Sequence, residues 1–185
     1  MKWDYEFDVV VIGSGNGALT SAICSHDGGA KTLVIEKSTQ FGGTSATSGG
    51  GVWIPNNRYA KAMNVDDSDQ DARDYINSVS PEGKIKDELV ETYLSEGPKM
   101  IDYLHENSQV KYRNLAHYPD YFPDNPGGKA GNRSMEPEPI KGTELGEDLG
   151  KLREQHPQTA FTMGPINMNF TQVEGQLLLG ALPGW

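Results

Sequence analysis

The stretch FDVVVIGSGNGALTSAICSHDGGAKTLVIE, Phe7–Glu36, decides the fold. Phe7–Ile12 is mostly apolar and β-branched, the composition of a buried parallel strand. Gly13–Gly17 breaks that run. Ala18–His26 then sets small and apolar residues at helical spacing until Gly28-Gly29 stops it. Thr32–Ile35 is a second apolar run. Strand, helix and strand within about 30 residues is the usual size of a parallel crossover.

The turn between the first strand and the helix reads Gly13-x-Gly15-x-x-Ala18. Such a pattern is common and weak by itself, but here it closes a strand and opens a helix, the context it requires. Gly13 permits the tight turn, Gly15 lets a diphosphate approach the backbone, and Ala18 lets the helix pack closely on the strand. The phosphates would lie at the helix N-terminus, where unpaired N–H groups and the helix dipole favour anions. Ser14 and Gly17 belong to the same loop. Glu36 ends the second strand, where a carboxylate accepts from ribose hydroxyls. A Walker loop would need Gly-Lys-Ser/Thr where this chain has Gly17-Ala18-Leu19, and the acid that methyltransferases usually carry two positions before the first glycine is here Val11. An ordinary strand–turn–helix remains the plain alternative.

This pattern does not separate NAD from FAD. The next stretch, EKSTQFGGTSATSGGGVWIPNN, Glu36–Asn57, does. Gly42, Gly43 and Thr44, then Ser48, Gly49, Gly50 and Gly51, follow directly on Glu36 and Lys37. Missing Cβ atoms let main-chain N–H groups approach a flat, extended ligand. The return to Val52-Trp53-Ile54 covers it with apolar surface. A flexible Gly/Ser linker is the alternative, and the interleaved Trp53 argues against it.

Beyond Pro55 the pattern turns helical. Asp66–Asp69 is an acidic start suited to a helix dipole, followed by Ala72, Tyr75, Ile76 and Val79. Ile85, Leu89, Tyr93 and Leu94 mark another helix, expected to end near Gly97-Pro98, with a short third one at Met100–Leu104. From Tyr118 to Pro165 the chain is rich in Pro and Gly and reads as long ordered loops or a lid. The expected division is 1–57, an N-terminal part of a nucleotide-binding domain, and 58–185, a helical and loop-rich segment leading toward a substrate domain.

Composition narrows the partners. With 185 residues, 36% hydrophobic, 22 Gly, 11 Pro and a mean hydropathy of −0.59, the chain has enough residues to bury a core. No apolar run is long enough to span a bilayer, and the polar, acidic Met1–Glu6 does not resemble a secretion leader. Sixteen basic and 26 acidic residues give a charge of −10, which disfavours nucleic acid. Cys24 is the lone cysteine, which suits a cytoplasmic protein. The four histidines show no metal-ligand spacing, so no metal is expected.

DVVVIGSGNGALTSA, EKSTQFGGTSATSGGGVWIPNN and YFPDNPGGKAGNRSMEPEPI together resemble the N-terminal part of the 3-ketosteroid Δ1-dehydrogenases, within the fumarate reductase/succinate dehydrogenase flavoprotein group. The resemblance runs from about Phe7 to about Met168. The first two motifs are widely shared among flavoproteins; the third, with Pro126-Gly127-Gly128-Lys129 and Arg133-Ser134, is narrower.

The resemblance implies an α/β fold, a Rossmann-type FAD-binding βαβ unit with a helical and loop-rich insertion. It implies FAD held by Gly13, Ser14, Gly15, Gly17, Ala18, Glu36, Lys37, Gly42, Gly43, Thr44, Ser45, Ser48, Gly49 and Gly50. It implies a steroid-like ketone as substrate, an external electron acceptor, and hydride transfer to flavin N5 while a base removes the adjacent proton. One active-site tyrosine of the family follows Pro-Asp, which here is Pro119-Asp120-Tyr121-Phe122. Tyr121 is therefore the catalytic candidate, expected to hydrogen-bond the base; a packing tyrosine is the alternative. The family's base and ketone-binding tyrosine have no counterpart in this chain, so it reads as the N-terminal part of a flavoenzyme, an incomplete domain expected to be inactive alone. A related reductase of another enone or enoate, or an inactive FAD-binding fragment, are the rival readings.

Overall fold

The computed structural model describes residues 3–138 and 140–154, and these divide between two compact units. Among the described residues the first comprises 3–50 and 140–154, and the second 51–138.

In the first unit, β1 (Val9–Ile12) pairs in parallel with β2 (Thr32–Ile35) in the register Val9↔Thr32 to Ile12↔Ile35. The crossover is α1 (Asn16–Asp27), which the glycine pattern predicts to within two residues. The Gly13 N–H donates to the Ile35 carbonyl at 2.7 Å, carrying the pairing one step past the strand end. At the opposite end the Lys31 N–H donates to the Asp8 carboxylate at 2.8 Å. Gly28 and Gly29 close α1 by donating to the Cys24 and His26 carbonyls. The expectation of a fully buried strand pair does not hold: Val11 is buried, whereas Val10 is 50% and Ile12 81% exposed. Among the described residues this unit contributes one long helix, and one helix can cover only one face of a sheet. A 3₁₀ segment, Gly142–Lys151, breaks at Gly146, where φ is 54°. Beside it Phe41 bridges Leu152 in parallel.

The second unit holds a three-stranded antiparallel sheet, β3 (Val52–Trp53), β5 (Ser134–Pro137) and β4 (Tyr112–Asn114), with β5 in the centre. Around it lie α2 (Arg58–Ala62), α3 (Asp69–Val79) and α4 (Asp87–Asn107). Ser68 caps α3 by accepting the Asp71 N–H, and Asp69 and Asp71 occupy its first turn, as a helix dipole favours. Asn57 caps α2 by accepting from the Tyr59 and Ala60 N–H groups. Its amide also donates to the Ile54 and Asn132 carbonyls, so this fully buried side chain is saturated. Ile54, Ile101, Tyr112 and Met135 form one apolar cluster; Ala72, Val90 and Leu94 form another.

Two expectations are overturned here. The helix runs unbroken through Gly97-Pro98, and Met100–Leu104 is its continuation. Gly97 is buried, and a Cβ there would stand 3.3 Å from the Ile54 side chain, so glycine serves close packing here and not a stop. The stretch expected as loop from Tyr118 onward contains β5, whose Met135 and Glu136 are buried, and the 3₁₀ segment; the part beyond Glu154 lies outside the described residues, as does Leu177–Trp185. Among the described residues no helix is long and apolar enough to cross a membrane.

Candidate functional site

The first unit folds its two glycine stretches onto each other. Gly15 is the N-cap of α1, with extended backbone and no side-chain cap, and no acid stands in the helix's first turn. A helix start in that condition offers N–H groups and positive potential to an anion. Ser45 reaches it from the second stretch, its hydroxyl accepting the Asn16 N–H at 3.0 Å. Gly43 lies directly against Gly15: a Cβ on Gly43 would sit in contact with the Gly15 Cα at 3.4 Å, and the φ of 55° at Gly43 favours glycine there. Gly42 combines φ of 107° with a Cβ direction that ends 2.6 Å from the Ala46 Cβ, and only glycine satisfies both.

Ser14 ties this arrangement together. It is 3% exposed, and its hydroxyl donates to Glu36 Oε2 at 2.5 Å while accepting the Gly42 N–H at 2.9 Å. Glu36 Oε1 accepts the Ser38 N–H at 3.0 Å. These bonds, the Ser14 hydroxyl foremost and the Ser38 N–H second, hold the Glu36 carboxyl below its ordinary value. An ionised carboxylate oriented by two donors at a strand end still has lone pairs to accept from further hydroxyls.

The second stretch is a series of turns. Thr44–Thr47 and Ser45–Ser48 close through N–H and hydroxyl donation to carbonyls three residues back, and the Gly50 N–H donates to the Ser48 hydroxyl. Gly43 and Gly50 have φ of 55° and 71°. The structure therefore brings Gly13, Ser14, Gly15, Gly17, Ala18, Glu36, Gly42, Gly43, Thr44, Ser45, Ser48, Gly49 and Gly50 into one unit, with exposed Lys37 beside Glu36. The Ser14–Glu36 bond escaped the sequence reading. The signal is the serine between the two glycines, a hydroxyl at the one loop position whose side chain turns back to the second strand.

Tyr121 belongs to the second unit and is 82% exposed, so it does not fill a core. Its neighbour Tyr118 is half-buried, and burial first, then the adjacent Tyr121, pushes the Tyr118 phenol up. The residue between Pro119 and Tyr121 is Asp120, 4% exposed and enclosed by hydrogen bonds. Its Oδ1 accepts the Trp53 Nε1–H at 2.6 Å, and its Oδ2 accepts Arg133 Nη1 at 2.9 Å and the Lys129 N–H at 3.0 Å. Arg133, 1% exposed, also forks onto Asp67 through Nε and Nη2. Sequence reasoning missed this network. Its residues are scattered from Trp53 to Arg133, and nothing local announces that two acids and an arginine will meet.

The FAD binding domain family model matches residues 8–173 of the chain. The 3-oxosteroid 1-dehydrogenase of Mycolicibacterium smegmatis is 36% identical over 168 residues, 91% of this chain and 29% of the relative. The 4-oxocyclohexanecarboxylate 2-dehydrogenase of Sinomonas cyclohexanicum is 37% identical, over 85% of this chain and 27% of the relative. The crystal structure of 3-ketosteroid delta1-dehydrogenase from Sterolibacterium denitrificans in complex with 1,4-androstadiene-3,17-dione matches with a TM-score of 0.85 and 39% identity, covering 97% of this chain and 31% of that one. The chain thus spans under a third of the length of the relatives it resembles.

Proposed function

Since the chain belongs to the FAD binding domain family, we propose that it forms the dinucleotide-binding part of an FAD-dependent oxidoreductase that desaturates the A ring of 3-ketosteroids and passes electrons to an external acceptor. The observation that carries this reading is the closure of the second glycine stretch on the first, Gly43 against Gly15 and the Gly42 N–H on the Ser14 hydroxyl. Resemblance to 3-oxosteroid 1-dehydrogenases over most of the chain supports the substrate class.

The residues present fit FAD. The start of α1, whose Asn16 N–H is taken by Ser45, offers the N–H groups of Gly15, Gly17 and Ala18 to the diphosphate. Glu36, ionised and held by Ser14 and Ser38, accepts from a ribose hydroxyl. Gly42–Ser45 and Ser48–Gly50 supply backbone without Cβ atoms for the remainder of the cofactor, and Lys37 adds a cation beside Glu36. FAD, when bound, supplies the hydride acceptor. Tyr121, exposed on the second unit, hydrogen-bonds the group that removes the substrate proton and eases its deprotonation. The free, exposed thiol of Cys24 accords with residence in the cytoplasm.

The test is made on the FAD-loaded enzyme carrying these residues. Tyr121→Phe should lower turnover on a 3-ketosteroid with flavin content intact, and Tyr118→Phe should do much less. Equal effects, or loss of FAD with Tyr121→Phe, would assign Tyr121 to packing. Copurification with a nicotinamide dinucleotide and no flavin would sink the cofactor assignment. A second reading, a smaller cyclic ketone, is favoured by the resemblance to the 4-oxocyclohexanecarboxylate 2-dehydrogenase. Faster turnover on 4-oxocyclohexanecarboxylate than on a 3-ketosteroid would select it.

A further inference from the structure

We propose that Arg133 is a positioning residue for Tyr121: its buried guanidinium, by clamping Asp120, fixes the backbone of the loop that presents the exposed phenol. This inference deepens the role proposed for Tyr121 and rests on it.

The loop from Asp120 to Lys129 is closed at its base. The Asp120 N–H donates to the Lys129 carbonyl at 3.0 Å, and the Lys129 N–H returns to Asp120 Oδ2 at 3.0 Å. Inside it the Asn125 N–H donates to the Phe122 carbonyl and the Gly128 N–H to the Asn125 carbonyl. The outer side of the loop is docked on α3. The Phe122 N–H donates to the Tyr75 hydroxyl at 3.3 Å, and Lys129 Nζ pairs with Asp71 at 2.9 Å. At Gly127, a Cβ would fall 1.9 Å from the Asp71 carbonyl oxygen. Chain that close to a helix is not free to move.

Apart from the Lys129–Asp71 ion pair these contacts hold backbone, while the side chains of Tyr121 and Phe122 stand 82% and 58% exposed. A loop with a fixed backbone and outward aromatic rings is built to present those rings. Its deepest anchor is Asp120, the residue before Tyr121, and the anchor of Asp120 is Arg133. The guanidinium makes two separate engagements, Nη1 to Asp120 and the Nε/Nη2 fork to Asp67, with the planar group 5.5 Å from the Trp53 ring centre and 5.8 Å from that of Tyr75. Lysine keeps the charge but is a point donor and cannot span both acids in this geometry. A group that fixes the backbone beside a functional side chain sets its geometry, and small displacements of such a side chain cost turnover steeply.

Arg133→Lys and Trp53→Phe, which removes the Nε1–H bond to Asp120 and shrinks the ring beside Arg133, are compared in the FAD-loaded enzyme, each with Tyr121 and with Tyr121→Phe. Arg133→Lys should lower kcat about 10-fold or more with KM nearly unchanged, Trp53→Phe should lower it less, and neither should lower it further once Tyr121→Phe is present. A loss of kcat equal in both backgrounds would make Arg133 a plain structural residue and overturn the proposal. Hydrogen exchange decides the anchoring independently of activity. Amides of residues 120–125 should exchange about 10-fold faster in Arg133→Lys while those of α1 keep their rates. Unchanged exchange at 120–125 overturns the proposal even if activity falls. If Tyr121→Phe alone leaves kcat unaltered, the role of Tyr121 fails, and exchange at 120–125 still settles whether Arg133 holds the loop.

Discussion

Ile12 and Ile101 are the same residue in opposite circumstances. Ile12, at the end of β1, is 81% exposed; Ile101, in the middle of α4, is 0% exposed and packs with Ile54, Tyr112 and Met135. Among the described residues of the first unit, Val11 is the one buried apolar side chain, and the order of that unit comes from strand pairing, glycine contacts and the Ser14 hydroxyl. The second unit has two apolar clusters and a buried arginine held by two carboxylates. The first is shaped for a ligand; the second buries a core of its own. Substitutions in the glycine stretches should register in binding, and those in the buried clusters in folding.

The largest effect is expected at Arg133. Arg133→Met leaves the Asp67 and Asp120 carboxylates buried without their partner, and removing one member of a buried ion network costs about 3–5 kcal/mol. Chemical denaturation monitored by circular dichroism reads the loss, and a change under about 1 kcal/mol would mean that water reaches the acids.

The isoleucines come next and test the contrast directly. Ile101→Ala should destabilise by about 2–5 kcal/mol, whereas Ile12→Ala should stay within about 0.5 kcal/mol. Similar losses from both would erase the distinction between the units.

Glu36→Gln should spare the denaturation midpoint and weaken FAD binding about 10-fold, the size expected when a charged acceptor becomes neutral. Titration of FAD fluorescence measures it. Because Ser14 and Ser38 depress the Glu36 carboxyl, its contribution is complete above the ordinary value of 4.5 and is lost as pH falls through the lower folded value. FAD retention should therefore fall below about pH 4.5, and Ser14→Ala should move that loss upward.

The smallest effect is at Arg58, which bridges Asp102 and Glu106 with all three side chains at least 31% exposed. Arg58→Ala should cost less than about 1 kcal/mol and nothing measurable at high salt.

What could be read from the sequence follows the range of the interactions. The β1–α1–β2 unit is local: strand residues are β-branched, glycines stand at the turns, and partners lie within one crossover. Its loops were legible because glycine states a backbone requirement directly. The second unit was half legible. α3 announces itself with Ser68 and its acids, but β3 has two residues, too few for any periodicity, and earns its pairing from β5 at the far end of the unit. Gly97-Pro98 reads as a helix stop until the Ile54 side chain that packs on Gly97 is known. At the site, Ser14 was legible as a loop residue but not as the donor to Glu36. Asp120 was visible only as the neighbour of Tyr121, because its partners Trp53 and Arg133 are brought to it by tertiary structure.

The pairing of Val52 with Met135 sets the order in which the chain can assemble. During synthesis β1, α1 and β2 can pair as soon as Ile35 is available, since all their contacts are local. β3 emerges early but must wait for β5, and no antiparallel ladder exists until nearly the whole of Gly51–Pro139 has been made. The β4–β5 ladder closes only the loop between those strands, whereas bringing β3 onto β5 closes nearly the whole segment and is entropically slow. The helices, whose contacts are local, have time to form first. Refolding should accordingly show a fast rise in helical signal, followed by a slower phase in which Trp53 reaches its native environment.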